Sequence, residues 1–225
     1  MSMKGTGTAS DWREIDEWSG GTGWMAYPDE NMQRASHLLA DDGDVWLVDP
    51  VDCDGLDDLV AEYGEVAGVV VLLDRHTRDA DTLAERHGVP VTVPDWMDGV
   101  EKKVDAPVER VRTDLGDTEF GVHRLVDNAF WQEAMLFGEE SKTLLVPESV
   151  GTAAFFRAGD ERLGVHPALR LTPPRKLSRL DPERIFVGHG EGVLDDAERA
   201  LADALDGSRR RAPRLYAETI RDFFL

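Results

Sequence analysis

Val69-Val70-Val71-Leu72-Leu73-Asp74-Arg75-His76-Thr77-Arg78-Asp79-Ala80 is an apolar run that ends abruptly in acids, bases and one histidine. Its valines and leucines fit a strand buried on both faces, and Asp79 to His87, stopped by Gly88, reads as the helix that follows. In open α/β arrangements, the carboxyl end of such a strand is where ionisable side chains do chemistry. A second run, Ile185-Phe186-Val187-Gly188-His189-Gly190-Glu191-Gly192, repeats the pattern with a histidine between two glycines. Two strand ends carrying two histidines predict one site.

Working outward, Ser36 to Ala40 and Val45 to Val48 read as strands joined by the Asp41-Asp42-Gly43-Asp44 turn, with Asp49-Pro50 closing the second. A short helix is predicted over Gly55 to Tyr63 and a strand over Val91 to Val93, cut by Pro94. Strands follow over 108–113, 119–126, 130–137 and 143–146. After a Pro- and Gly-rich passage come a strand over 184–187, a helix over 194–205 and a separate terminal helix over 213–224. Gly20-Gly21-Thr22-Gly23 reads as a turn, because neither a strand before it nor a helix after it supports a dinucleotide fingerprint. Residues 1–20 are expected to be a flexible polar amino-terminal segment and residues 21–225 a single domain. Each half runs strands first and then alternates. Two sheets that must bury their apolar faces against each other give an α+β fold, an αββα sandwich of two mixed sheets flanked by helices.

The charge balance is extreme: 45 acids face 25 bases, for a formal net charge of −20 over 225 residues. The acids are spread through every loop instead of forming one block, so the pattern reads as a salt-adapted, halophilic surface. Nucleic acid is excluded as a partner, since the basic run Arg209-Arg210-Arg211 is short and is expected in a turn between helices. No apolar stretch is long enough for a membrane span and the amino terminus lacks a signal-peptide core, so the expectation is a cytoplasmic protein without a membrane partner. Cys53 is the sole cysteine. It excludes an internal disulfide and a thiolate cluster, and its neighbours Asp52 and Asp54 argue against a reactive thiol.

The element order, Asp49-Pro50 after an early hairpin, the cluster from Asp74 to Asp79 and the late Gly188-His189-Gly190 resemble the metallo-β-lactamase superfamily over residues 24–225. Active members of that family carry a His-x-His-x-Asp-His cluster, a lone His after a later strand, a bridging Asp and a final His in a Gly-His-Gly-like turn. Carried over residue by residue, the resemblance puts Asp74 at the first His, His76 at the second, Arg78 at the Asp and Asp79 at the last His of the cluster. Leu125-Val126-Asp127-Asn128-Ala129-Phe130-Trp131 offers no third-segment His, with Asp127 and Asn128 falling close to its place. Glu148 stands for the bridging Asp, and His189 matches the final His.

The resemblance therefore implies a hydrolase-like protein with an altered metal site. A dinuclear zinc centre needs several neutral imidazoles, whereas this pattern keeps two and adds a permanent cation at Arg78. The expected ligands are His76, Asp79, Glu148, His189 and Asp74. That oxygen-rich set is suited to one divalent ion, zinc, manganese or iron, the alternative being none. Arg78 could instead close the site by pairing with Asp79 or Glu148. A small-molecule ester, thioester, amide or phosphodiester is the expected substrate class, with a non-catalytic binding or regulatory protein as the competing reading. A third, metal-free reading uses His76 or His189 as general base. His37, His87, His123 and His166 read as structural, and Trp131 as a wall of the altered pocket.

Overall fold

The computed structural model describes residues 8–224, with side chains to residue 218. The larger sheet holds β1 (Trp12–Trp18), β2 (Gly21–Ala26), β3 (Ala35–Asp41), β4 (Asp44–Val48), β5 (Glu65–Val70), β6 (Val91–Pro94) and β7 (Val108–Val111), in that spatial order. Its first four strands pair antiparallel, and β4 through β7 pair parallel. Asp42 and Gly43 both take positive φ, 47° and 91°, which is the twist-matched hairpin turn an Asp-Gly pair selects. Helices α1 (Leu56–Ala61) and α2 (Ala80–His87) supply the crossovers on either side of β5.

The second sheet is built from β8 (Phe120–Asn128), β9 (Trp131–Gly138) and β10 (Thr143–Val146). A two-stranded ribbon of β11 (Val150–Gly151) and β12 (Gly164–Val165) follows before β13 (Arg184–Val187) joins this sheet, in order β13-β10-β9-β8. Helix α3 (Ala197–Phe224) closes the chain.

Alternation decides the layers. Ala134 and Leu136 of β9, Leu145 of β10 and Phe186 of β13 face the larger sheet, in one core with Leu47, Val69 and Val91 and with Leu59 and Leu83 of the first two helices. Their neighbours Met135, Phe137, Leu144, Val146, Ile185 and Val187 face the other way, onto Ala200, Leu201, Ala204 and Leu205 of α3. Each fully buried leucine contributes roughly 1.5–3 kcal/mol relative to exposure. The order helix, sheet, sheet, helix is the αββα sandwich.

The run that opened the sequence reading joins the two sheets. Val71 still donates to the Thr92 carbonyl of β6, but Ala134 donates to the Leu72 carbonyl and Asp74 donates to Gln132. The chain therefore leaves the larger sheet at Leu72 and pairs with β9, carrying His76 to the rim between the sheets.

Three expectations need correction. Residues 12–18 of the supposed polar head form β1, while residues 1–7 lie outside the described residues. Gly21 and Gly23 belong to strand β2 instead of a turn; a Cβ on Gly21 would lie 2.1 Å from the Leu38 carbonyl oxygen, so close strand approach, and not a reversal, requires that glycine. The two terminal helices are one, α3, with Pro213 inside it and its own helix beginning only at Ala197. Tertiary contacts override the breaker: Ser208 Oγ donates to the Arg170 carbonyl, Arg209 to that of Leu171, and Ala212 and Leu215 are buried. Arg209-Arg210-Arg211 therefore lies on a helix. No described helix is long and apolar enough to cross a membrane.

Candidate metal centre

Four strand ends meet at one rim of the sandwich. β4 leads into Asp49, the run after β5 reaches His76, β10 leads through Pro147 to Glu148, and β13 leads into Gly188-His189-Gly190. Within each sheet these strands are parallel neighbours, β4 with β5 and β10 with β13, so their carboxyl ends point the same way. Gly188 permits the convergence, because a Cβ there would sit 2.3 Å from the Pro147 oxygen and 3.3 Å from His76 Cε1.

The result is a buried His–Glu–His cluster. One ligand-capable atom each of His76, Glu148 and His189 lies within 4.8 Å of the others, and the two imidazoles stand edge to face with centroids 5.2 Å apart. His189 Nδ1 is 2.9 Å from the Met32 carbonyl, which only accepts, so the ring proton is at Nδ1 and a lone pair is at Nε2. That Nε2 is buried with no hydrogen-bond partner, and lies 4.0 Å from Glu148 Oε1. Burial, then the neighbouring His76 and Arg78, hold the His189 pKa well below its ordinary value, so the ring is neutral. Its face packs on Phe156 at 5.4 Å.

The surrounding groups fix this geometry. His76 Nδ1 is 3.2 Å from Asp49 Oδ2, while Asp49 Oδ1 accepts from the Leu72 amide at 2.9 Å. Burial pushes the Asp49 carboxyl up to about 7, against the pull of Arg78. Arg75 donates through Nε to Glu148 Oε2 at 2.8 Å and stacks on Trp131 at 4.2 Å, leaving Oε1 toward the histidines. Burial raises the Glu148 pKa and Arg75 opposes the rise. Beneath, the buried Glu133 accepts from the Glu148 and Ser149 amides, 2.7 and 2.8 Å, and from Trp131 Nε1, fixing the turn that presents Glu148.

Arg78 takes a different course from either partner expected for it. Its guanidinium donates to the carbonyls of Ala35, Asp49 and Gly188 at 2.6, 2.7 and 3.1 Å, and burial lowers its pKa to about 10. A fixed cation thus ties together the loops on which Asp49 and His189 sit.

No protein-family model and no curated protein sequence matches the chain. Solved structures do match. DIM-1 metallo-β-lactamase exposed to ceftazidime aligns at a TM-score of 0.61 and 14% identity, over 92% of this chain and 99% of that one. A metallo-β-lactamase from Pontibacter korlensis aligns at 0.63 and 12% identity, over 88% and 99%. The apo chemotaxis sensor ODP from T. denticola aligns at 0.55 and 14% identity, over 87% and 93%.

The chain has the metallo-β-lactamase fold. Within it, three of the five residues expected as ligands come together: His76, Glu148 and His189. Asp74 and Asp79 are not part of the cluster. Asp74 Oδ1 lies 3.8 Å from Arg75, and Asp79 Oδ2 accepts from the Asp52 amide at 2.9 Å. The cause is local: Arg78 adopts φ 42°, which turns the chain so that Asp79 starts α2 facing the 49–52 loop. Asp127 and Asn128 are likewise engaged elsewhere, with Arg124 and with the Phe130 amide.

Two neighbours of the site were not expected there. Asp49 hides in an Asp-Pro that reads as a strand end. His166, read as structural, has Nε2 3.8 Å from Glu148 Oε1, and its Nδ1 accepts from the Ala168 amide, which puts the ring proton on Nε2. Burial, reinforced by Arg75, lowers its pKa to about 4. Its only sequence signal is a His-Pro pair. Trp131 does wall the cluster, 4.8 Å from His166 and under Arg75.

Proposed function

We propose that this protein is a hydrolase-like member of the metallo-β-lactamase superfamily that holds one divalent metal through His76, His189 and Glu148. The observation that carries the reading is the buried, partnerless Nε2 of His189, whose other nitrogen is pinned by a carbonyl. Metal-ligating histidines characteristically pair their second ring nitrogen with a carbonyl or carboxylate, and His76 Nδ1 is paired with Asp49 in the same way at 3.2 Å. Two imidazoles and one carboxylate with a position left open is a donor set that catalytic zinc takes. Ligands about 2.1 Å from an ion are about 3.4 Å apart, so closing a cluster already within 4.8 Å needs shifts of about 1 Å. With Asp74 and Asp79 elsewhere, the set is less oxygen-rich than expected, which favours zinc over manganese or iron.

The residues fit one ion and not the family's pair, because Arg78 adds a fixed positive charge beside the cluster and no further donors join it among the described residues. A bound ion supplies Lewis acidity toward a carbonyl or phosphoryl oxygen. The chain's own part is to hold that geometry. Asp49 orients His76, Met32 fixes the His189 tautomer, and Arg75 holds one Glu148 oxygen so that the other faces inward. His166 Nε2–H stands where it can donate a hydrogen bond into the same space. The ester, thioester, amide or phosphodiester substrate is left to the surrounding loops, and the cell compartment we assign is the cytoplasm.

Elemental analysis of protein purified without chelator in molar KCl tests the reading. One zinc per chain is expected, falling to near zero in His189→Ala. Two tightly held ions, or stoichiometry unchanged in that variant, would overturn it. Protein that takes up no metal would favour a non-catalytic binding role, which Arg75 on Glu148 also suits and which has a parallel in a sensor of the same fold.

A further inference from the structure

On the outer side of the turn from His189 to Val193 lies a groove of about 390 Å³, lined by Arg13, Arg157, Arg162, Glu191, Thr152 and Gln33 among others. Its size is within the range of small-molecule sites. Three arginines against one glutamate make this groove net positive on a chain of net charge −20. Glu191 is already paired with Arg13. Among the described residues neither Arg157 nor Arg162 has a carboxylate partner; Arg162 uses one nitrogen on the Asp195 carbonyl, 2.8 Å away. Guanidinium forks gathered without counter-charges repel one another unless an anion joins them.

The groove is also built firmly. Arg170, fully buried, donates to the Phe156 carbonyl and to Glu161, and Glu161 in turn accepts from the Ala158 amide at 2.7 Å. Those three contacts clamp the backbone on both sides of Arg157 and next to Arg162. On the opposite wall, Gly190 donates to the Gln33 carbonyl at 2.8 Å and Thr152 donates to that of His189 at 3.0 Å. The cations are thus mounted on fixed backbone, which lowers the entropy cost of capturing a ligand.

We propose that this groove binds the oxyanion group, phosphate or carboxylate, of a small molecule, with Arg157 and Arg162 as the principal donors. The site is separate from the His–Glu–His cluster and does not depend on a metal there.

The test is calorimetric titration of metal-free protein, stripped on a chelating resin, at one fixed KCl concentration. Phenyl phosphate and citrate serve as the two oxyanion probes and glycerol as the neutral one. Saturable one-to-one binding of at least one oxyanion is expected, with phosphate and carboxylate sources told apart by which probe is tighter. Losing a charge-assisted contact should weaken it about tenfold or more, so Arg157→Gln with Arg162→Gln should abolish measurable binding. The charge-matched control, Arg112→Gln with Arg179→Gln on exposed surface elsewhere, should leave it unchanged. Equal weakening in both pairs, or no saturable binding of either oxyanion, would overturn the proposal. Both pairs are exposed, and a melting curve verifies that each variant folds.

Discussion

Asp49 illustrates how a single side chain couples the site to stability. It holds His76 through one oxygen and the Leu72 amide through the other. Asp49→Asn keeps the shape and removes the charge, so metal affinity measured against a chromophoric chelator should fall by about 10–100-fold. The same variant has a pH signature in metal-free protein. A carboxyl raised from 3.8 to about 7 by burial favours the folded state while protonated, so its contribution is fully present below about pH 4 and is lost as pH rises through about 7. The parent should therefore lose stability relative to Asp49→Asn between those limits, and melting curves at about pH 4 and about pH 8 check the sign. Unchanged chelator competition would mean that His76 needs no orienting partner. The site's legible residues were those with a local signature, a histidine at a strand end or between glycines. Asp49 and His166 had none, since each sits beside a proline that reads as a turn, and Asp79 misled because a left-handed Arg78 cannot be seen in the sequence.

Helix α3 shows the same limit at the scale of an element. Proline punctuates a sequence strongly, so Pro213 reads as the start of a second helix, whereas burial of Leu201, Leu205, Ala212 and Leu215 carries one helix through it. Pro213 still deprives the Arg209 carbonyl of its donor four residues on. Pro213→Ala should therefore raise stability by about 1–2 kcal/mol, the helical gain being partly offset by a freer unfolded chain. A melting temperature that stays level or drops would show that the proline is accommodated without cost. Strands β3, β4, β6, β9, β10 and β13 were legible because short, largely buried apolar runs bounded by turn residues leave a direct imprint. β1 was not: its exposed Arg13, Glu14 and Glu17 disguise an edge strand as a polar tail.

For the whole molecule, 45 acids against 25 bases leave at least 20 carboxylates without a one-to-one cation. At 0.01 M salt the Debye length is about 30 Å, so these charges repel across the domain, whereas at 1 M it is about 3 Å. The melting temperature followed by circular dichroism should climb steeply from low salt to multi-molar KCl. A flat profile would mean that local pairing already neutralises the surface.

The arginine groove inherits an unusual kinetic setting from this charge. An approaching anion meets repulsion from the whole chain long before it meets attraction from Arg157 and Arg162, which is the reverse of electrostatic steering. Added salt lowers the distant barrier and weakens the close embrace at once. Capture is accordingly quickened and dwell time shortened by the same ions, so a cell's salinity sets how rapidly the groove exchanges its occupant as well as how tightly it holds one.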